Sequence, residues 1–179
     1  MFDEFPALKA HFELLQRWNK TLNLTRIESI ERNYGESVFL ARHLPTGEWS
    51  ICDVGSGAGF PGFPIAVVRP ECQVTLIEAH QRKAVFLKEA ARGVPNIRVL
   101  GKRAEDVHER FDWAVSRAVS AEDLSPFLAR LAGSVAVLTG ADVPDIRGIS
   151  WHEAVPLPGS EGRYLRIGVS RETPQESFT

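Results

Sequence analysis

Cysteine is scarce in this chain, with Cys52 and Cys72 the only two. A disulfide scaffold needs more cysteines in a shorter chain, and neither residue belongs to a C-x-x-C pair. The five histidines (His11, His43, His80, His108 and His152) are widely scattered. No metal-ligand spacing is visible, and no metal is expected. Long apolar runs are also missing: none approaches the roughly 18–20 residues of a membrane helix. Met1-Phe2-Asp3-Glu4-Phe5 lacks the basic segment and apolar run of a secretory signal. The expected location is therefore the cytoplasm, without a membrane partner. Nor is there an excess of positive charge. Lysine and arginine number 21 against 23 acidic residues, a net charge of −2, which argues against a generally basic nucleic-acid binder. A local basic face remains open. Short basic groups occur at Lys20/Arg26, Arg98/Lys102/Arg103 and Arg163/Arg166/Arg171, each of which, taken singly, reads as solvated charge.

What is present suits one globular unit. The 179 residues are 44% hydrophobic, enough for a single core, and nothing demands a partner chain, so a monomer is expected. Phe5, Leu8, Phe12, Leu15, Trp18 and Leu22 recur at steps of three or four and predict an amphipathic helix over 5–22. A second helix is predicted over about Ser29–His43, ended by Pro45-Thr46-Gly47. Residues 1–48 thus read as a helical extension ahead of an α/β core over 49–171. In that core, strands are predicted at Ser50–Val54, Gln73–Ile77, Ile97–Leu100, Trp113–Ser116 and Val135–Leu138. Helices are predicted at Pro64–Val68, Gln81–Arg92 and Ala121–Leu131. Trp151–Val155 and Tyr164–Val169 then alternate as an antiparallel pair across a loop, and Glu172–Thr179 reads as a frayed tail. Repeated strand–helix units imply a parallel sheet with helices on both faces. The closing pair makes this a Rossmann-like mixed seven-stranded sheet with an antiparallel C-terminal strand, the methyltransferase version of the doubly wound fold.

Ligands of such sheets bind beyond the carboxyl ends of the strands. There the first strand runs into Asp53-Val54-Gly55-Ser56-Gly57-Ala58-Gly59. Gly55, Gly57 and Gly59 permit a tight turn and close backbone approach. Their G-x-G-x-G spacing departs from the dinucleotide fingerprint. Asp53 would repel a pyrophosphate and favour a cationic ammonium and sulfonium, so S-adenosylmethionine is the expected cofactor. Glu78 ends the second strand, where a carboxylate accepts ribose hydroxyls; the alternative is a solvated strand-end acid. Ala104-Glu105 follows the third strand, where adenine would sit, although Glu105 also suits a plain helix start. Phe60 either covers the cofactor or caps the core.

Some chemistry is missing as well. The loop after the fourth strand reads Ser116-Arg117-Ala118-Val119-Ser120, without the Pro-Pro-aromatic element of exocyclic-amine methyltransferases. Neither cysteine is placed as a nucleophile, and no general base stands beside the cofactor. An acceptor that is already nucleophilic fits this pattern. Guanine N7 loses no proton on methylation, so catalysis reduces to alignment. Arg117 is the expected positioning residue, holding a guanine edge, a phosphate or the cofactor. The bland alternative is a surface ion pair.

Trp18-Asn19-Lys20, Asn23-Leu24-Thr25, the extended turn Asp53–Gly62, Phe111-Asp112 and Ser116-Arg117-Ala118 together resemble the bacterial small-subunit ribosomal RNA guanine-N7 methyltransferases, also called the glucose-inhibited division protein B family. The blocks span roughly residues 12–140. The resemblance implies methylation of N7 of one guanine in 16S rRNA, naked or within the small subunit. It implies cofactor contacts on Gly55, Phe60, Ala104, Glu105 and Arg117, with Glu78 at the ribose. Asn23, Arg32 and Glu36 would lie at the mouth of the site, and Arg103 is expected to join them on the RNA. Asn33 stands where the family usually has histidine, and Thr139-Gly140 where a lysine-glycine pair is common; the region before the first helix is short. Two other functions stay open: a small-molecule or protein methyltransferase on this fold, and a noncatalytic rRNA-binding factor.

Overall fold

The computed structural model describes residues 1–26 and 30–171; Ser29, the expected start of the second helix, and the expected tail Glu172–Thr179 lie outside them. Helix α1 (Pro6–Leu22) opens on a proline at its first turn, where a missing N–H costs nothing. It ends at Asn23, whose φ of 48° is left-handed, a conformation asparagine tolerates better than most residues. Helix α2 is Ile30–His43.

The core strands are β1 (Ser50–Val54), β2 (Gln73–Ile77), β3 (Ile97–Leu100), β4 (Phe111–Arg117) and β5 (Ala132–Thr139), followed by β6 (Ile149–Trp151), β7 (Val155–Pro156) and β8 (Tyr164–Ser170). Between them lie α3 (Gly62–Val68), α4 (Gln81–Ala90), α5 (Ala121–Leu124) and α6 (Leu128–Leu131). The sheet order is β3-β2-β1-β4-β5-β8-β6. The five core strands are parallel, whereas β8 runs antiparallel to both β5 and β6.

Alternate residues of one strand enter different layers, as a period of two requires. Ile51, Val74, Leu76, Val115 and Leu138 pack beneath α1–α4, whereas Cys52, Val54, Ile77, Ala114 and Val135 pack beneath α5 and α6. At the amino edge the Asp112 carboxylate accepts from Ser50 N (2.8 Å) and Ser50 Oγ (2.7 Å), tying β1 to β4 at the opposite end from the glycine turn.

Two expected elements are divided. The helix expected over Ala121–Leu131 is α5 and α6, interrupted around Pro126, which lacks an N–H and crowds the preceding turn. The strand expected over Trp151–Val155 is β6 and β7. Trp151 pairs with Gly168 and Val155 with Leu165, so residues 152–154 face only 166 and 167. This extra residue breaks the ladder as a bulge does. Among the described residues the sheet accordingly has eight strands, seven along its path and the two-residue β7 beside β8.

Candidate functional site

The carboxyl exits of β1, β2 and β4 converge. Gly55, Gly57 and Gly59 have φ of 70°, 56° and 95°, a region side chains rarely adopt. The Gly55 and Ser56 amides both donate to Ile77 O at 3.0 Å, drawing the turn over the end of β2. Glu78 stands there, 8% exposed. Its Oε2 accepts from Gly57 N and its Oε1 from His80 N, both at 2.8 Å. Two main-chain bonds orient the carboxylate, and each oxygen keeps a lone pair for a further donor. A Cβ at Gly57 would meet nothing nearer than Gly55 O at 3.9 Å, so this flank of the turn is open.

Asp53 is fully buried, which bears on the expected repulsion of a pyrophosphate by its charge. Oδ2 accepts from Gly62 N at 2.9 Å, bracing the start of α3, and Oδ1 has no hydrogen-bond partner among the described residues. Burial pushes the carboxyl up to about 7, with the Gly62 hydrogen bond opposing. Its charge is therefore a weak argument for a cationic ligand. Of the two roles open to the Phe60 side chain, it takes the one in the core. Its ring is 5% exposed and meets Tyr34 edge-on at 4.8 Å, because apolar burial outweighs exposure at the turn. This leaves only its main chain for a ligand.

The β4 exit closes on the turn from the other side. Ser116 Oγ donates to Val54 O at 3.0 Å. Ala118 adopts φ 59°, a strained conformation for a residue with a Cβ. Val119 Cγ2 lies 2.8 Å from where a Cβ on Gly55 would be.

Beside this loop, Arg117 Nε donates to Glu36 Oε2 at 3.1 Å, and Nη2 donates to Asn33 Oδ1. Arg163, at the start of β8, clasps Glu36 through Nε (2.8 Å) and Nη2 (2.9 Å). Arg32 Nε is 3.9 Å from Glu36 and its side chain is half exposed. Burial lowers the Arg117 guanidinium, and Glu36 counters this. Three cations around one carboxylate leave a local excess of two positive charges.

Glu36 itself is 4% exposed. As a direct RNA contact it is corrected: its oxygens are taken by arginines, which it aims. The Asn-Leu-Thr block joins the same network. Asn33 Nδ2 donates to Thr25 Oγ1 (3.1 Å), and Asn19 holds the Thr25 main chain from both sides (2.8 and 3.0 Å). A cavity of about 330 Å3 opens here between Arg32, Glu36 and Phe39 on α2 and the Pro158–Ser160 loop.

Other expected residues stand apart. Ala104 is buried and Glu105 exposed in a single 3-10 turn past β3. Arg130 fixes that turn through Val107 O (2.7 Å) and Glu105 O (3.3 Å). Arg103 is exposed at the same strand exit, separated from Arg117 by β2 and β1, so it does not meet the Glu36 cluster. Asn23 is exposed at the end of α1. Arg163 was visible in the sequence only as one of a basic group; its place opposite Glu36 comes from the β8 topology, which no local pattern carries. Among the described residues no helix is long and apolar enough to cross a membrane, and no three His, Cys, Asp or Glu side chains group as metal ligands.

A family model described as rRNA small subunit methyltransferase G matches residues 4–138. The chain is 45% identical over 121 residues to ribosomal RNA small subunit methyltransferase G of Nitrosomonas europaea, covering 63% of this chain and 56% of that protein. To the protein of the same name from Xanthomonas campestris it is 36% identical over 163 residues, covering 84% of this chain and 71% of that protein. The chain spans 56% and 60% of the lengths of its relatives from Nitrosomonas europaea and Nitrosospira multiformis. Among solved structures it resembles a SAM-dependent methyltransferase from Aquifex aeolicus (TM-score 0.61, 18% identity, 85% of this chain and 96% of that one). It also resembles a mutant of MtNAS in complex with S-adenosylmethionine (TM-score 0.66, 16% identity, 90% and 72%). The fold is that of the class I S-adenosylmethionine methyltransferases.

Proposed function

Because the chain belongs to the rRNA small subunit methyltransferase G family, we propose that it methylates N7 of one guanine in 16S ribosomal RNA with S-adenosylmethionine, as a cytoplasmic monomer acting on the RNA or its small subunit. The strand exits suit that cofactor. Glu78 is oriented by two main-chain donors and keeps lone pairs for ribose hydroxyls. Gly57 leaves an open flank, and Asp53 Oδ1 is a buried acceptor without a donor among the described residues. When bound, S-adenosylmethionine supplies an electrophilic methyl group.

The rest is done by this chain. Gly55, Gly57, Gly59 and Phe60 offer main chain to the cofactor, and Ala104 with Glu105 offers an amide and a carboxylate for the adenine edge. Arg117, Arg163 and Arg32 hold the RNA, with Asn23 and Arg103 touching it further out. Guanine N7 carries a free lone pair and loses no proton, so no base is required. Alignment alone supplies up to about 7–11 kcal/mol in favourable cases.

The observation that carries the reading is the Arg117–Glu36–Arg163 cluster, seated beside the loop that closes on Gly55. Reverse-transcription mapping of N7-methylguanine in 16S rRNA, with and without the protein, tests it. The modified guanine is expected only with active protein. Cofactor binding by calorimetry without transfer to RNA or subunit would remove the substrate assignment, and failure to bind the cofactor would favour a noncatalytic factor.

A further inference from the structure

His11 has no part in the site just described, yet it reaches that site from outside the sheet. It lies on α1, is 1% exposed, and stacks on Phe63 with ring centroids 4.1 Å apart. Phe60 meets the same ring edge-on at 5.7 Å. Both imidazole nitrogens are bonded: Nε2 lies 3.0 Å from Ala58 O, and Nδ1 faces the Tyr34 hydroxyl of α2. A carbonyl can only accept, so Nε2 carries the proton and Nδ1 accepts from Tyr34. One neutral tautomer satisfies both partners, and burial holds the ring neutral by lowering it to about 3.

Ala58 lies between two glycines in the left-handed region. The local chain leaves the peptide planes on either side of it unusually free. The turn is anchored from the sheet side by Ile77 O and Glu78. From the helix side, His11 supplies the side-chain bond to the Ala58 carbonyl. An apolar residue would fill the same space and leave that carbonyl, on a residue only 5% exposed, without this donor.

We infer that His11 is a positioning residue for the cofactor turn, transmitting the packing of α1 and α2 to the Ala58 carbonyl and so fixing the main chain of Gly57–Gly59. The inference rests on the proposed S-adenosylmethionine site. It extends that site to α1, on the far side of the turn from Ile77 and Glu78.

The test uses the full chain with His11→Met, which removes the donor, and His11→Gln, whose amide restores one near the Nε2 position. Calorimetric affinity for S-adenosylmethionine is measured well below each variant's own unfolding midpoint. His11→Met is expected to weaken binding about tenfold and His11→Gln to stay within about threefold of the parent, whichever variant melts lower. Should His11→Met fail to fold, His11→Phe fills the ring's space without the donor and carries the same expectation. Binding by the donor-less variant equal to the parent overturns the role, as does His11→Gln binding as weakly as His11→Met. A parent that binds no S-adenosylmethionine overturns the cofactor reading itself, an outcome distinct from both.

Discussion

Arg117 and Glu36 stand 81 positions apart in the chain, and a 3.1 Å hydrogen bond from Nε to Oε2 joins them. Arg163 grips the same carboxylate from 127 positions away. One buried acid therefore fixes the direction of two arginines, one ending β4 and one just ahead of β8.

Glu36→Gln is expected to separate RNA transfer from cofactor binding. Breaking a largely buried ion pair costs up to about 3–5 kcal/mol. Because Arg163 keeps some solvent (27% exposed), a loss of about 2 kcal/mol is expected, or about 4–8 °C in Tm. Methyl transfer to RNA should fall by about tenfold or more while the calorimetric affinity for S-adenosylmethionine changes little. Equal losses in both would show that Glu36 serves the fold alone.

Gly57→Ala and Gly55→Ala are expected to fail in different ways. Both place a Cβ at positive φ, a cost of about 1–2 kcal/mol. At Gly55 the new atom would also lie 2.8 Å from Val119 Cγ2, whereas at Gly57 it enters open space. Thermal melts should therefore show the larger loss for Gly55→Ala. Gly57→Ala should stay folded and lose cofactor affinity by calorimetry; an unchanged affinity would move the ligand away from this flank.

Asp53 gives the protein a stability term with an unusual sign. In the unfolded chain its carboxyl loses its proton above 3.8, and in the folded chain only above about 7. The folded state binds the extra proton between these values, so rising pH favours unfolding across this window. Asp53→Asn removes the term. The Tm of the variant relative to the parent should climb between pH 3.8 and about 7 and level off above it. A flat difference would place the carboxylate in contact with water.

His11 acts in the opposite direction. The unfolded chain takes up its proton as pH falls through 6.5, while the folded chain refuses it down to about 3. Acid therefore favours unfolding below 6.5. His11→Gln abolishes this slope, so any advantage of the parent in Tm should shrink on acidification. An advantage that grows instead would mean the ring is protonated in the fold.

Most strands were legible because their signals are local. Ile51, Cys52 and Val54 form a short buried run, and the glycines that follow announce their own positive φ. Glu36 and Arg163 were not legible as partners, since their meeting depends on β8 returning beside β5. Glu36 was legible as part of the site but not in its job. A sequence places an acid near a mouth, and only packing reveals that arginines already occupy both oxygens. The burial of the Phe60 ring and of Asp53 was not legible for a related reason: adjacency to a ligand loop does not say which side of that loop faces the core.

The strand order also governs how the chain meets its own synthesis. β1 pairs with β2 on one edge, but its other edge waits for β4, which begins only at Phe111. Domains assemble as they emerge at about 5–20 residues per second. For that interval the nascent chain holds a finished glycine turn beside a bare row of backbone donors and acceptors, the feature that seeds intermolecular strand pairing. Fragments ending between Leu100 and Phe111 should therefore aggregate despite containing the whole turn, and translational pausing there should lower the yield of folded protein.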